Sequence, residues 1–298
     1  MSDAVDIVRE IGRAGAAVPA GETDLLGEWL LREANLPSVP DLIAVAPGNG
    51  SDDLRIRRDR DTVILTGTAS RVAWASQSGR FVALVSDGVE NHAICVPVER
   101  LSITPGQSIA GESRDFVTAD DVNLAADEIA VLPTLDTVEL RARGAATRAV
   151  LIQGAVDAVV ELVSAYCATR KQFGRRLRDF QVVAHQQALL REHTTLMRAA
   201  VELASSALDG SGSWEDAAAA KIIAGEVATH IAKVAHQLHG AIGVSEEYVL
   251  HRYTRRLWAW RDEYGGEYEW SKRLGAGLVL RGPQALWPWV SESNDEAM

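Results

Sequence analysis

The hydrophobic periodicity of this chain changes twice, and the second change, at Pro133, limits the fold most. From there to about Leu280 the apolar residues recur at helical spacing. Ile152, Val156, Val159, Val163 and Tyr166 mark one stripe, Leu189, His193, Leu196 and Ala200 a second, and Ile223, Val227, Ile231, Val234 and Leu238 a third. Successive long helices with one apolar face each bury those faces against one another, so the spacing predicts a helical bundle. Gly174 is positioned to end the first helix and Asp179 to cap the next, while Gly210-Ser-Gly-Ser closes the second.

Between about Leu42 and Leu132 the texture is different. Thr62-Val-Ile-Leu-Thr, Arg80-Phe-Val-Ala-Leu-Val, His92-Ala-Ile-Cys-Val and Leu101-Ser-Ile-Thr are short β-branched runs separated by Gly, Pro, Asp and Asn. They predict a small antiparallel barrel or sandwich. Ahead of them, Val8, Ile11, Leu25, Leu26, Trp29, Leu30 and Leu31 recur at helical intervals interrupted by Pro19-Ala-Gly-Glu-Thr, which predicts two short helices. The expected fold is mainly α with a central β domain. It divides into a short helical part (1–41), a β-barrel domain (42–132) and a C-terminal four-helix bundle (133–298). There is no internal repeat, and the acidic end from Ser291 to Met298 is expected to fray.

With 298 residues, 47% hydrophobic and 24% charged, the chain can build a sizeable core. No uninterrupted apolar run approaches the roughly 18 residues of a membrane helix, and the first residues lack a basic region followed by an apolar one. A cytoplasmic protein without a membrane segment is expected. Cys95 and Cys167 have no thiol or histidine at metal spacing, so both are read as small buried apolar residues and no metal site is expected. The net charge of -11 argues against general binding to nucleic acid or an anionic membrane.

Two segments carry chemistry. In Tyr166-Cys-Ala-Thr-Arg170-Lys-Gln172-Phe173-Gly174-Arg-Arg-Leu-Arg-Asp-Phe180-Gln181, Arg170 offers a forked donor for a pyrophosphate and Phe173 a face for a planar ring. Gln172 and Gln181 add neutral donors and acceptors. A solvated basic loop is the competing reading of the same composition. In Gln237-Leu-His239-Gly240-Ala-Ile-Gly243-Val-Ser-Glu-Glu247-Tyr248, glycines follow a long helix, where backbone can approach a ligand closely. A glycine C-cap with a hydrogen-bonded structural His239 explains it equally well.

Taken together and in this order, the two segments resemble the acyl-CoA dehydrogenase family over about Leu135 to Leu280. The family's Arg-x-x-Phe-Gly then Phe-Gln pattern is met by Arg170, Phe173, Gly174, Phe180 and Gln181. Its Gln-x-x-Gly-Gly-x-Gly then Glu-Tyr pattern is met by Gln237, Gly240, Gly243, Glu247 and Tyr248, with Ala241 where a glycine is usual. The resemblance implies FAD, held at its adenosine diphosphate end by Arg170, Gln172, Phe173, Gln181, Gln237, His239 and Gly240, with the flavin in a neighbouring subunit. It also implies an α-domain, β-barrel and four-helix-bundle architecture. Arg9-Glu-Ile-Gly-Arg-Ala-Gly resembles the later part of that α-domain, so its opening helices are expected to be missing.

The family reaction takes an α-proton from an acyl-CoA thioester with a carboxylate base while hydride passes to the flavin. At the usual position of that base, in a Tyr-Glu-Gly-Thr motif, counting from Gln237 gives Tyr264. At the alternative position, counted back from Arg170, it gives Gly144. Glu263 is the weak candidate for a displaced base, with Glu267 and Glu269 beside it, although each is more simply a solvated helix-face acid. The family's flavin-contacting Lys-x-Trp-Ile-Thr strand corresponds by spacing to Arg71-Val72-Ala73, and Trp74 nearby is expected to pack rather than touch a ring.

The losses cluster at one end of the cofactor. They resemble the non-base subunit of heteromeric α₂β₂ acyl-CoA dehydrogenases of actinobacterial steroid side-chain degradation, in which a homologous subunit carries the catalytic Glu. Acyl-CoA would be the substrate. A self-sufficient homo-oligomer using Glu263, or a non-enzymatic scaffold without FAD, are the alternatives. The tryptophans Trp258, Trp260, Trp270, Trp287 and Trp289 are read as packing residues, with an interface or a bulky ligand as the alternative.

Overall fold

The computed structural model describes residues 2–60 and 62–292, and residues 293–298 of the expected acidic tail lie outside it. The chain opens with α1 (Ser2–Ala14). Two N-terminal helical segments are present as expected, but the break between them is residues 15–19 and does not extend over Ala-Gly-Glu-Thr. Helix begins at Ala20, directly after Pro19, and runs through a π-helical stretch (Gly21–Gly27) into α2 (Glu28–Glu33). The wide turn buries Glu22 and both leucines Leu25 and Leu26. Such stretches are rare and frequently lie at functional sites.

The middle third holds β1 (Ile43–Val45), β2 (Arg55–Asp59), β3 (Thr62–Ala73), β4 (Arg80–Ser86), β5 (Asn91–Pro97), β6 (Ser102–Thr104), β7 (Arg114–Leu124) and β8 (Ile129–Val131). They form one sheet in the order β6-β7-β3-β2-β4-β5-β8, with β1 beside β4. The sheet encloses a core of its own around Leu65, Phe81, Ile94 and Val117. The expected purely antiparallel pairing is corrected at two places: β1 runs parallel to β4, and β2 meets β4 in parallel at Arg55 and Ser86. All three residues of β1 are buried, so it shows no alternation that would reveal it in the sequence.

The C-terminal half contains α3 (Thr137–Thr169), α4 (Gln181–Asp209), α5 (Trp214–His239), α6 (Leu250–Asp262), α7 (Glu267–Arg281) and α8 (Leu286–Glu292). Asp136 caps α3 by accepting from the N–H groups of Val138 at 2.8 Å and Glu139 at 3.0 Å. This helix is long and apolar enough by composition to cross a membrane, yet 61% of its most apolar window is buried among the other helices. It is the central core helix. α1 crosses it closely because Gly12 and Gly154 carry no Cβ, and one built on either would overlap the other helix's backbone. The N-terminal helices thus share one apolar core with the bundle.

Two expected helix signals are corrected. Gly174 does not end α3, which stops at Thr169; it sits instead in a hairpin of β9 (Lys171–Gln172) and β10 (Arg175–Arg176). Asp179 is not the cap of α4; its carboxylate accepts from the Arg176 N–H, and Phe180 precedes the helix. Gly210 does close α4, with φ of +88°. Both cysteines are buried and free, as expected. Trp260 and Trp270 are buried and Trp289 packs partly buried against the core, whereas Trp287 is 75% exposed.

Candidate functional site

A cavity of about 390 Å³ opens where the sheet meets the bundle, lined by Asn49, Arg71, Arg114, Arg141, Arg148 and the segment Asp262–Gly266, among others. The Asn49 side of the wall is pinned to β3: Asp52 accepts from the Ser70 N–H at 2.8 Å, and Asn49 Nδ2 donates to the Ser70 carbonyl at 3.0 Å. The opposite wall is built from charge.

Glu263, in the turn between α6 and α7, accepts from Arg114 Nε at 2.7 Å and Nη2 at 2.9 Å, and from Arg148 Nε at 2.6 Å. Arg148 also donates Nη2 to Glu22 at 2.5 Å. Arg114 continues to Glu112 at 3.1 Å, and Glu112 accepts from Arg256 Nε and from Trp260 Nε1, each at 3.0 Å. Three carboxylates and three guanidiniums therefore alternate along one chain from the π-helical stretch through α3 and β7 to α6. Glu22, Glu112, Arg114, Arg148 and Glu263 are all below 10% exposed. At that depth an ion is tolerated only with its partners in place.

The expectation that Glu263 is a solvated acid is corrected: it is buried in this ion-pair chain. Burial pushes its carboxyl up, but the charges and hydrogen bonds of Arg148 and Arg114 outweigh burial and hold it at about 2. A carboxylate that weakly basic, with its oxygens already accepting three N–H groups, is poorly matched to taking a proton near neutrality. Glu269 is committed to Arg141 at 2.5 Å.

The two positions where the family would carry its base meet each other. Tyr264 is buried with φ of +55°, and its ring lies against Gly144 of α3 so closely that a Cβ on Gly144 would overlap it. The Arg148 guanidinium faces the ring at 5.1 Å from its centroid, and burial raises the Tyr264 phenol. Neither position carries a carboxylate. Lys221 of α5 lies fully buried near this turn, donating Nζ to the Arg261 carbonyl, and burial brings it down to about 7.

The residues expected at the adenosine diphosphate end lie elsewhere, on the surface. Arg170, Gln172, Phe173, Gln181, Gln237 and Gly240 are all exposed. Phe173 and Gly174 form the hairpin turn with φ of +49° and +80°, the pair of left-handed residues that a type I′ turn requires. This holds Phe173 out at 92% exposure. A non-glycine residue in that region is strained, and such strain concentrates at ligand sites. Gln237 also borders a groove of about 540 Å³ between α4 and α5, with Val182, Val183, Leu189, Val234 and Leu238 on its walls.

His239 is placed differently from the other six. It is buried, its Nδ1 bonds the Ala235 carbonyl at 2.8 Å, its Nε2 lies 3.1 Å from Tyr248 Oη, and its ring stacks on Tyr166. It shapes the end of α5 from within. Burial lowers the imidazoles of His230, His236 and His239, all on α5. Their folded forms hold a proton less readily than a free histidine, so they cost nothing above pH 6.5 and destabilise as the pH falls below it. Melting temperature measured from pH 8 to pH 5 is therefore expected to fall below pH 6.5, and His239→Gln is expected to flatten that slope.

The sequence signal for the charged wall was available in part. Arg141, Arg143 and Arg148 interrupt an otherwise apolar helix, and arginines are rarely buried without partners. Glu22, Glu112 and Arg114 carried no such signal.

Residues 141–270 match the family described as acyl-CoA dehydrogenase, C-terminal domain. The chain is 26% identical over 258 residues to acyl-CoA dehydrogenase IpdE2 of Mycobacterium tuberculosis, covering 86% of this chain and 71% of that protein. Among solved structures, the ChsE4-ChsE5 complex from Mycobacterium tuberculosis superposes with a TM-score of 0.81 at 20% identity, over 93% of this chain and 80% of the other. The Tcur3481-Tcur3483 steroid ACAD gives 0.84 at 22% identity, over 94% and 81%. Residues 141–270 thus match an acyl-CoA dehydrogenase C-terminal domain, and the chain that carries them has the acyl-CoA dehydrogenase fold.

Proposed function

We propose that this chain is the subunit of a heteromeric, FAD-dependent acyl-CoA dehydrogenase that lacks the catalytic base and helps to bind FAD across an interface with a homologous subunit carrying the catalytic Glu. The observation that carries this reading is the packing of Tyr264 on Gly144, which fills both base positions without a carboxylate. FAD supplies the acceptor for the β-hydride of the acyl-CoA. Arg170, Gln172, Phe173, Gln181, Gln237 and Gly240 would bind its adenosine diphosphate half, for which their exposure and donor types fit, while His239 holds the α5 end in shape.

The flavin ring does not fit this chain's own cavity in the same way. Arginines and paired glutamates dominate the lining, where a neutral planar ring would meet few apolar faces. The reading therefore assigns the reacting end of FAD and the acyl-CoA thioester to the partner. The reading places the chain in an α₂β₂ assembly in the cytoplasm that acts on a steroid side-chain thioester; a two-protein complex and a steroid ACAD among the structural neighbours support the partner and the substrate class.

Arg170→Ala tests the cofactor half of the reading. The loss of a charge-assisted hydrogen bond is worth about 1.5–3 kcal/mol, or roughly tenfold or more in affinity. Flavin absorbance per assembly at 450 nm is expected to fall accordingly, with the assembly's size unchanged. Full flavin retention would remove Arg170 from the site.

A further inference from the structure

Lys221 of α5 is a buried cation without a carboxylate of its own. It is 0% exposed, and its one hydrogen bond among the described residues goes to a backbone carbonyl, that of Arg261 in the last turn of α6. The last carbonyls of a helix have no N–H partner within it, so the lysine caps α6 from the side. Burying an ammonium that no acid pairs is costly, and the cost falls on the charged form alone.

The charged groups that act on it come from α3, α6, α7 and the turn between the last two. Arg148 on α3 opposes its charge, Glu263 in the turn is bound by Arg114 and Arg148, and Asp262 at the end of α6 is bound by Arg261. Glu267 on α7 reaches α5 at Gly225, one turn along from Lys221, where the missing Cβ admits its carboxylate; it forms no ion pair with Lys221 among the described residues. Burial outweighs the attraction of Glu263 and Glu267 and brings Lys221 down to about 7. The Tyr264 phenol, raised by burial, stays neutral beside them.

The joint that Lys221 makes is slender. Besides its own bond, Arg261 is tied to α5 by Nη1, which donates to Thr229 Oγ1 at 3.2 Å on the exposed side. Directly after it the chain turns through Tyr264 and Gly265 with φ of +55° and +95°. A left-handed non-glycine residue is strained, and a helix end held by so few bonds opens locally before the core does.

We propose that Lys221 makes the joint between α5 and the end of α6 a pH-sensitive latch: with the amine neutral the joint stays closed, and with the proton bound it opens to let water reach the ammonium. A neutral amine still donates an N–H to the Arg261 carbonyl, so the closed form needs no charge. The latch bears on the sheet–bundle crevice because the turn it releases carries Glu263 and Tyr264, both on its wall. The proposal does not depend on how FAD is held, because it is read by backbone exchange alone.

The test is amide hydrogen exchange of the full chain, in whatever assembly it purifies, at pH 7, 8 and 9, with rates corrected for their intrinsic dependence on pH. The open joint holds Lys221 near its ordinary 10.5 and the closed joint near 7, so closing is favoured as the pH rises from 7 towards 10.5. From those two values, protection of residues 258–262 in the last turn of α6 is expected to rise about fiftyfold between pH 7 and pH 9. It is expected to stay well below the protection of the α3 core throughout, which marks a local opening. In Lys221→Met the rise is expected to disappear. Protection that does not change with pH, protection equal to that of the α3 core, or the same rise in Lys221→Met would overturn the proposal. The first two are read on the unaltered chain, so they decide the matter even where the variant does not fold.

Discussion

Glu263→Gln is expected to remove about 3–5 kcal/mol of stability, because it leaves two buried guanidiniums facing a neutral amide. At about 2–4 °C per kcal/mol, the melting temperature should drop by roughly 10 °C. The cause is structural: Arg114 and Arg148 donate three N–H groups to this one carboxylate, and each arginine also holds a second glutamate. The pH dependence has the same origin. The Glu263 carboxyl titrates at about 2 in the folded chain against an ordinary 4.5, so its stabilisation is fully present above pH 4.5 and is lost as the pH falls through 2. That difference corresponds to about 3 kcal/mol, in line with the mutational figure. Folded Glu263→Gln assembly, assayed below its melting temperature, is expected to keep its acyl-CoA oxidation within about threefold. A loss of a hundredfold or more would restore Glu263 as a base.

Gly144→Ala is the second large effect. The new methyl group would overlap the Tyr264 ring, and overpacking of this kind costs about 1–3 kcal/mol or more. Tyr264→Ala alone removes a buried ring and costs about 3–5 kcal/mol, a figure borrowed from phenylalanine and tryptophan truncations. In the double variant the methyl occupies part of the vacated space, so the two costs are expected to fall short of their sum by about 1–3 kcal/mol. Denaturant midpoints of the four proteins measure this. Additivity within about 0.5 kcal/mol would show that the ring and the glycine do not depend on each other.

The bundle was legible because each long helix repeats its apolar stripe many times, and β3, β4 and β5 were legible from β-branched runs. β2 was not, since Arg-Ile-Arg-Arg-Asp turns four charged residues to solvent and hides a single buried isoleucine. The hairpin was taken for a helix end because a glycine marks both. The exposed candidates on the hairpin and at the end of α5 were read from local motifs, in which the relevant types stand within a few positions of one another. The charged wall was missed for the opposite reason: Glu263 finds Arg148 and Arg114 from 115 and 149 positions away, and no local pattern shows that an acid near a helix start will be buried between them. Arg71 was noted only as a departure from the family strand. Its bulge and left-handed backbone belong to the sheet's register, which the sequence does not display.

If, as proposed, this chain completes an assembly whose base comes from a homologous subunit, neither oxidation nor flavin binding is expected of it alone. The most direct measurement is flavin content and acyl-CoA oxidation of this chain purified alone and co-purified with a longer homologue that contains Tyr-Glu-Gly-Thr, followed by replacement of that motif's glutamate by glutamine in the homologue. The account predicts a colourless, inactive chain alone, a yellow active complex, and loss of oxidation with flavin retained after the replacement. A yellow and active assembly of this chain by itself would contradict it.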